Sequence, residues 1–148
     1  MASKLYKKIL IATDGSEYTK NSIDYGIDLA KNTQAKLHVL YVIDTAAFAS
    51  IPMDAAWESM YELLKQEGDE ATRYAAEKAE AEGLEVEKLT VEGHPAEEII
   101  KYAEKNSMDL IVMGTLGKSG LDRFLLGSVA EKVVRASKIP VLVVRGKK

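Results

Sequence analysis

The arrangement of apolar residues constrains this chain more than any other feature: short apolar runs alternate with segments of helical period. Residues 8–13 (KILIAT) open the series, and Ile23, Ile27 and Ala30 then recur at helical spacing within residues 17–33. Residues 36–43 (KLHVLYVI) form a second run. Residues 56–82 read as a long helix with Trp57, Met60, Tyr61 and Leu64 on one face and Gly83 as its stop. Those four side chains are expected in core or interface packing. Residues 85–92 (EVEKLTVE) alternate, as a strand with one wetter face does. His94-Pro95-Ala96-Glu97-Glu98 starts another helix, with proline at its first position and acids in its first turn. Residues 109–113 (DLIVM) make a fourth strand, a helix follows over about 128–137, and Pro140 introduces a fifth strand at 141–145 (VLVVR).

Near-continuous apolar strands separated by helices predict a parallel sheet covered on both faces, with right-handed crossovers. The expected class is α/β, an open five-stranded parallel sheet with helices on both faces. In the order 3-2-1-4-5, strands one and four are neighbours where the order reverses, and open α/β sheets take ligands at such a switch point. At 148 residues the chain has the size of one domain, 1–148. Residues 44–56 (DTAAFASIPMDAA) are the one long irregular connection expected.

The chemistry concentrates after strand four. Gly114, Gly117 and Gly127 follow the spacing G-x2-G-x9-G, with Ser128 next. Glycines let backbone amides approach a phosphate without a Cβ in the way. A helix starting at Ser128 adds free N–H groups and the positive end of its dipole. Ser128 has a second reading, because Ser128-Val129-Ala130-Glu131 fits a capping box. The two roles are compatible. Neither a GxxxxGK[ST] loop nor a GxGxxG turn is present, which argues against a P-loop motor and a dehydrogenase. Asp14, at the carboxyl end of strand one, would meet the glycine loop in one crevice; alone it would read as a turn aspartate.

Other classes fall away on composition. The chain has 20 basic and 23 acidic residues, a net charge of −3 with no clustered excess of Lys and Arg, so nucleic acid is not an expected partner. No apolar run approaches the roughly 20 residues that span a bilayer, and the polar start leads directly into a strand. A cytoplasmic protein is expected, with no membrane partner. The absence of cysteine excludes disulfides, thiolate metal sites and a cysteine nucleophile. His38 and His94 are expected to serve packing or capping, with no metal site.

The stretches ILIATDGS (9–16), LYVID (40–44) and GTLGKSGLDRFLLGSVAEKVVRASKIPVLVV (114–144) together resemble the universal stress protein family, over nearly the whole chain. The ending is similar to the subgroup of that family that binds ATP. The resemblance implies a Rossmann-like fold of the adenine nucleotide alpha hydrolase type. It implies that Asp14 and the backbone of Ala12, Thr13 and Val42 hold the adenine and ribose end. Met113, Gly114, Thr115 and Gly117 would line the ribose and first phosphate, and Gly127, Ser128 and Val129 the outer phosphates. The ligand implied is ATP, or ADP or AMP, with Mg or Mn accompanying the phosphates. The expected role is nucleotide-dependent regulation in a stress response. The alternatives are a slow ATPase or nucleotide-transfer enzyme and a dimeric scaffold with a vestigial site. No catalytic residue is assigned. A homodimer through the C-terminal strand is expected both from the family and from the apolar run Val141-Leu142-Val143-Val144 at a sheet edge.

Overall fold

The computed structural model describes residues 3–115 and 126–146. Its elements are β1 (Lys8–Thr13), α1 (Glu17–Thr33), β2 (Lys36–Ile43), α2 (Ala55–Ala81), β3 (Val86–Glu92), α3 (Pro95–Lys105), β4 (Leu110–Gly114), α4 (Ser128–Ala136) and β5 (Val141–Val144). The five strands are parallel and run in the order β3-β2-β1-β4-β5. This is the sheet that the pattern of apolar runs predicts.

Successive strand residues point to opposite faces, and both faces are covered. Ile9, Ile11, Leu37, Val39 and Val112 pack on one side against Ile23, Ile27 and Ala30 of α1 and Ala75 and Ala79 of α2. Leu10, Ala12, Leu40, Ile111 and Met113 pack on the other against Ala96, Ile99 and Ala103 of α3 and Ala130 and Val133 of α4. Burial on both sides is why these strands read as continuous apolar runs. The edge strand β3 alternates because its outward residues meet water.

The long helix packs on the sheet over only part of its length. At about 1.5 Å per residue α2 is about 40 Å long, whereas the eight residues of β2 span about 26 Å. The helix therefore overhangs the carboxyl ends of the strands. Its buried residues, Gly68, Thr72, Ala75, Ala76 and Ala79, all lie from its midpoint onward. Trp57, Tyr61 and Leu64 are only half-buried and Met60 is exposed, so they do not join the main core. Trp57 instead stacks on Tyr61, with centroids 5.6 Å apart, and meets Phe48 at 5.3 Å. Phe48 itself is buried, at the end of a 3-10 turn (Thr45–Phe48) capped by the Asp44 carboxylate. The connection at 44–56 is thus partly ordered by an aromatic anchor, which its small-residue composition hides. No helix of the described residues is long and apolar enough to cross a membrane.

Candidate functional site

Three strand ends and one helix start build the site. After β1 the chain turns through Asp14-Gly15-Ser16 into α1. The Asp14 carboxylate accepts the Ser16 N–H at 2.9 Å, as in an Asx turn. Gly15 takes φ 80°, a left-handed value that favours glycine. After β2, Asp44 accepts the Ala47 N–H at 3.0 Å. After β4, the Thr115 N–H donates to the Val144 carbonyl at 3.1 Å, and the Thr115 carbonyl accepts the Gly127 N–H at 2.6 Å. These two bonds anchor Thr115 to β5 and bring residue 127 beside it.

The start of α4 differs from the expected capping box. Gly127, not Ser128, is the N-cap, with an ordinary extended backbone at φ −62° and ψ 158°. An N-cap needs extended φ and ψ, and the bond to Thr115 holds Gly127 in that role. Ser128 is consequently the first helical residue, and its hydroxyl is no cap. Glu131 pairs with Arg135 at 2.7 Å rather than reaching back. The Glu131 N–H bonds the Gly127 carbonyl, which leaves the amides of Ser128, Val129 and Ala130 without intrahelical partners. Gly127, whose own N–H is engaged by Thr115, contributes space rather than a donor.

A cavity of about 290 Å³ opens among these ends. Ala12, Thr13 and Asp14 line it from β1 and Val42 from β2. Met113, Gly114 and Thr115 line it from β4, and Gly127, Ser128 and Val129 from the start of α4. Gly117, with Lys118 and Arg123, lies outside the described residues. Among the further wall residues that the sequence reading missed are Thr19, Asp44, Leu64 and Pro95. Asp44 follows β2 as Asp14 follows β1, a parallel that would have found it. Leu64 had no such signal, because its position depends on the overhang of α2.

The walls divide the cavity chemically. Leu40, Val42, Leu64 and Ile99 make an apolar slot. The β1 and β2 ends carry the carboxylates of Asp14 and Asp44, and the α4 end carries free amides and a positive dipole. No lysine, arginine or histidine is among the described wall residues. Such a site suits a ligand with a flat apolar part, hydrogen-bond donors and an anionic tail. The histidines stand apart from it. His38 is buried in β2, with Nδ1 2.7 Å from the Tyr102 hydroxyl, and His94 is the exposed N-cap of α3. No group of three or more metal-binding side chains occurs among the described residues.

Residues 5–145 match the model of the universal stress protein family. The chain belongs to that family. This universal stress protein is 47% identical over 141 residues to universal stress protein MJ0531 of Methanocaldococcus jannaschii, covering 95% of this chain and 83% of the relative. Its fold superposes on the solved structure of MJ0577 from the same organism with a TM-score of 0.85, at 34% identity over 97% of this chain and 99% of that one. A universal stress protein crystallised in complex with cAMP superposes with a TM-score of 0.72, at 27% identity over 97% of this chain and all of the other.

Proposed function

We propose that this universal stress protein binds an adenine nucleotide, ATP foremost, and that occupancy governs its conformation or its choice of partner in a cytoplasmic stress response. One observation carries the reading: the switch-point cavity ends at the first turn of α4, whose amides have no intrahelical partner and no side-chain cap among the described residues. The base lies in the apolar slot, the ribose hydroxyls donate to the carboxylates of Asp14 and Asp44, and the phosphates meet the amides of Ser128 and Val129. The relative crystallised with cAMP supports an adenine ligand. The described residues offer no cation-binding cluster, so Mg²⁺ or Mn²⁺ arrives on the phosphates.

The reading includes a homodimer through β5. That edge strand carries Val141, Leu142 and Val143, none of them charged, whereas the outer edge at β3 carries Glu87, Lys88 and Glu92. Charge blunts a sheet edge against pairing, and β5 lacks it.

Isothermal titration with ATP, ADP, AMP and cAMP, with and without Mg²⁺, tests the ligand. Saturable heat with ATP is expected. No heat, and no displacement of a fluorescent ATP analogue, rejects the nucleotide reading.

A further inference from the structure

The turn that carries Asp14 to the cavity is held by two buried threonines, and their hydrogen bonds allow one arrangement of protons. The Thr19 hydroxyl donates to the Ser16 carbonyl at 2.9 Å, since a carbonyl only accepts. A hydroxyl has a single proton to give. The 3.1 Å contact between Thr13 Oγ1 and Thr19 Oγ1 must therefore use the proton of Thr13. Thr13 Oγ1 in turn accepts the Gly15 N–H at 3.2 Å. The chain of donors runs in one direction, from Gly15 to Thr13 to Thr19 to Ser16, and it brackets Asp14 on both sides.

This network does work that the helix cap leaves undone. Ser16 is the N-cap of α1 but makes no side-chain cap bond, and its Oγ is buried without a partner. Thr19 supplies the closure instead, giving both its N–H and its hydroxyl to the Ser16 carbonyl. The direction also fixes what the cavity presents. Both threonines line it. With the Thr13 proton spent on Thr19, the side chains of the β1 end offer acceptors only: a remaining lone pair of Thr13 and the carboxylate of Asp14.

We propose that Thr19 is a positioning residue for the nucleotide site. It orients the Thr13 hydroxyl and locks the 13–16 turn, so that Asp14 faces the hydroxyl and amino donors of the ligand. The inference rests on the nucleotide reading above and adds a residue one helical turn away from the motif.

Titration of purified variants with ATP tests it. Thr19→Val should weaken ATP binding roughly fivefold or more, the scale of one lost hydrogen bond. Thr19→Ser keeps the hydroxyl and should stay within about twofold of wild type. The double variant of Thr13→Val with Thr19→Val should bind little worse than the weaker single variant, because both cut one network. In the nucleotide-free protein, the Gly15 amide should exchange faster in Thr19→Val while core amides of β1 keep their protection. Thr19→Ala replaces Thr19→Val if the latter does not fold. Wild-type affinity in Thr19→Val, an equal loss in Thr19→Ser, or additive losses in the double variant each overturn the role of Thr19. A wild-type chain that binds no adenine nucleotide overturns the parent reading and this one with it.

Discussion

Gly127 tests the phosphate end at a single position. Its φ of −62° is open to any residue, so Gly127→Val leaves the backbone conformation accessible while placing a branched side chain beside the free amides. ATP affinity should fall at least tenfold, about 1.4 kcal/mol, with little change in the thermal midpoint. Titration and thermal melting of the same preparation check both halves. Ser128→Ala, by contrast, should shift stability by no more than ~0.5 kcal/mol, because Ser128 is an exposed first-turn residue and not the cap. The capping-box pattern misled because it is local. Which residue becomes the cap was decided by the bond between Gly127 and Thr115, two positions that no pattern in the sequence pairs.

His38 makes a second test at this scale. Burial holds its imidazole below the ordinary pKa near 6.5, against the opposing pull of Glu87; Glu85 also raises it, while Lys36 and Lys8 lower it further. On acidification the unfolded chain takes up this proton first. The contribution of His38 is therefore full above about pH 6.5 and is lost as pH falls toward the folded-state value. Urea unfolding at stepped pH should show stability declining from pH 7.5 to 5.5 more steeply in wild type than in His38→Gln. Equal slopes would remove His38 as the cause.

At the scale of elements, α2 shows how much of a helix is legible without its neighbours. Its existence and near-correct limits follow from periodicity. Its working face does not, because the aromatic stripe near its start lies on the overhang, and the true contact is made by small residues further on. Gly68 is one of these: a Cβ there would stand 2.6 Å from Cδ1 of the fully buried Tyr41 ring. Gly68→Ala should gain about 1 kcal/mol of helix propensity and still lose stability, since overpacking typically costs about 1–3 kcal/mol. A fall in the thermal midpoint of roughly 2–4 °C per kcal/mol of net loss is expected for a chain of this size. An unchanged or raised midpoint would show that the ring moves aside freely.

For the whole molecule, the order of the strands was legible because five strand-like runs separated by helices, the inner three of them buried, leave few arrangements. What strand order alone does not reveal is which backbone groups face outward. The Ile111 and Thr115 amides bond the carbonyls of Pro140 and Val144. Alternate residues of a strand direct their N–H and C=O groups to the same side, so Leu142 faces β4 while Val141 and Val143 direct theirs to the open edge. Val143→Pro thus removes an outward donor and spares the ladder to β4. If the protein pairs through this edge, light scattering should show a mass of two chains for wild type and a shift toward one for Val143→Pro, with ATP affinity nearly unchanged. A single-chain mass for wild type at micromolar concentration rules the dimer out.

The division between the sheet's interior and its carboxyl ends has an evolutionary meaning. Ile9, Leu10, Ile11, Leu37, Val39, Ile111 and Val112 are completely buried and lie within the strands. The walls of the cavity come largely from the strand tips and the turns beyond them. Ala12, Leu40, Ile99, Met113 and Ala130 serve both core and wall, whereas Asp14, Asp44, Leu64 and Ser128 line the cavity outside the buried core, so a change of ligand is free of a folding cost only at the latter. A duplicated copy of this protein could drift toward a new small molecule by changes at the rim, while the layers that hold it together are inherited intact.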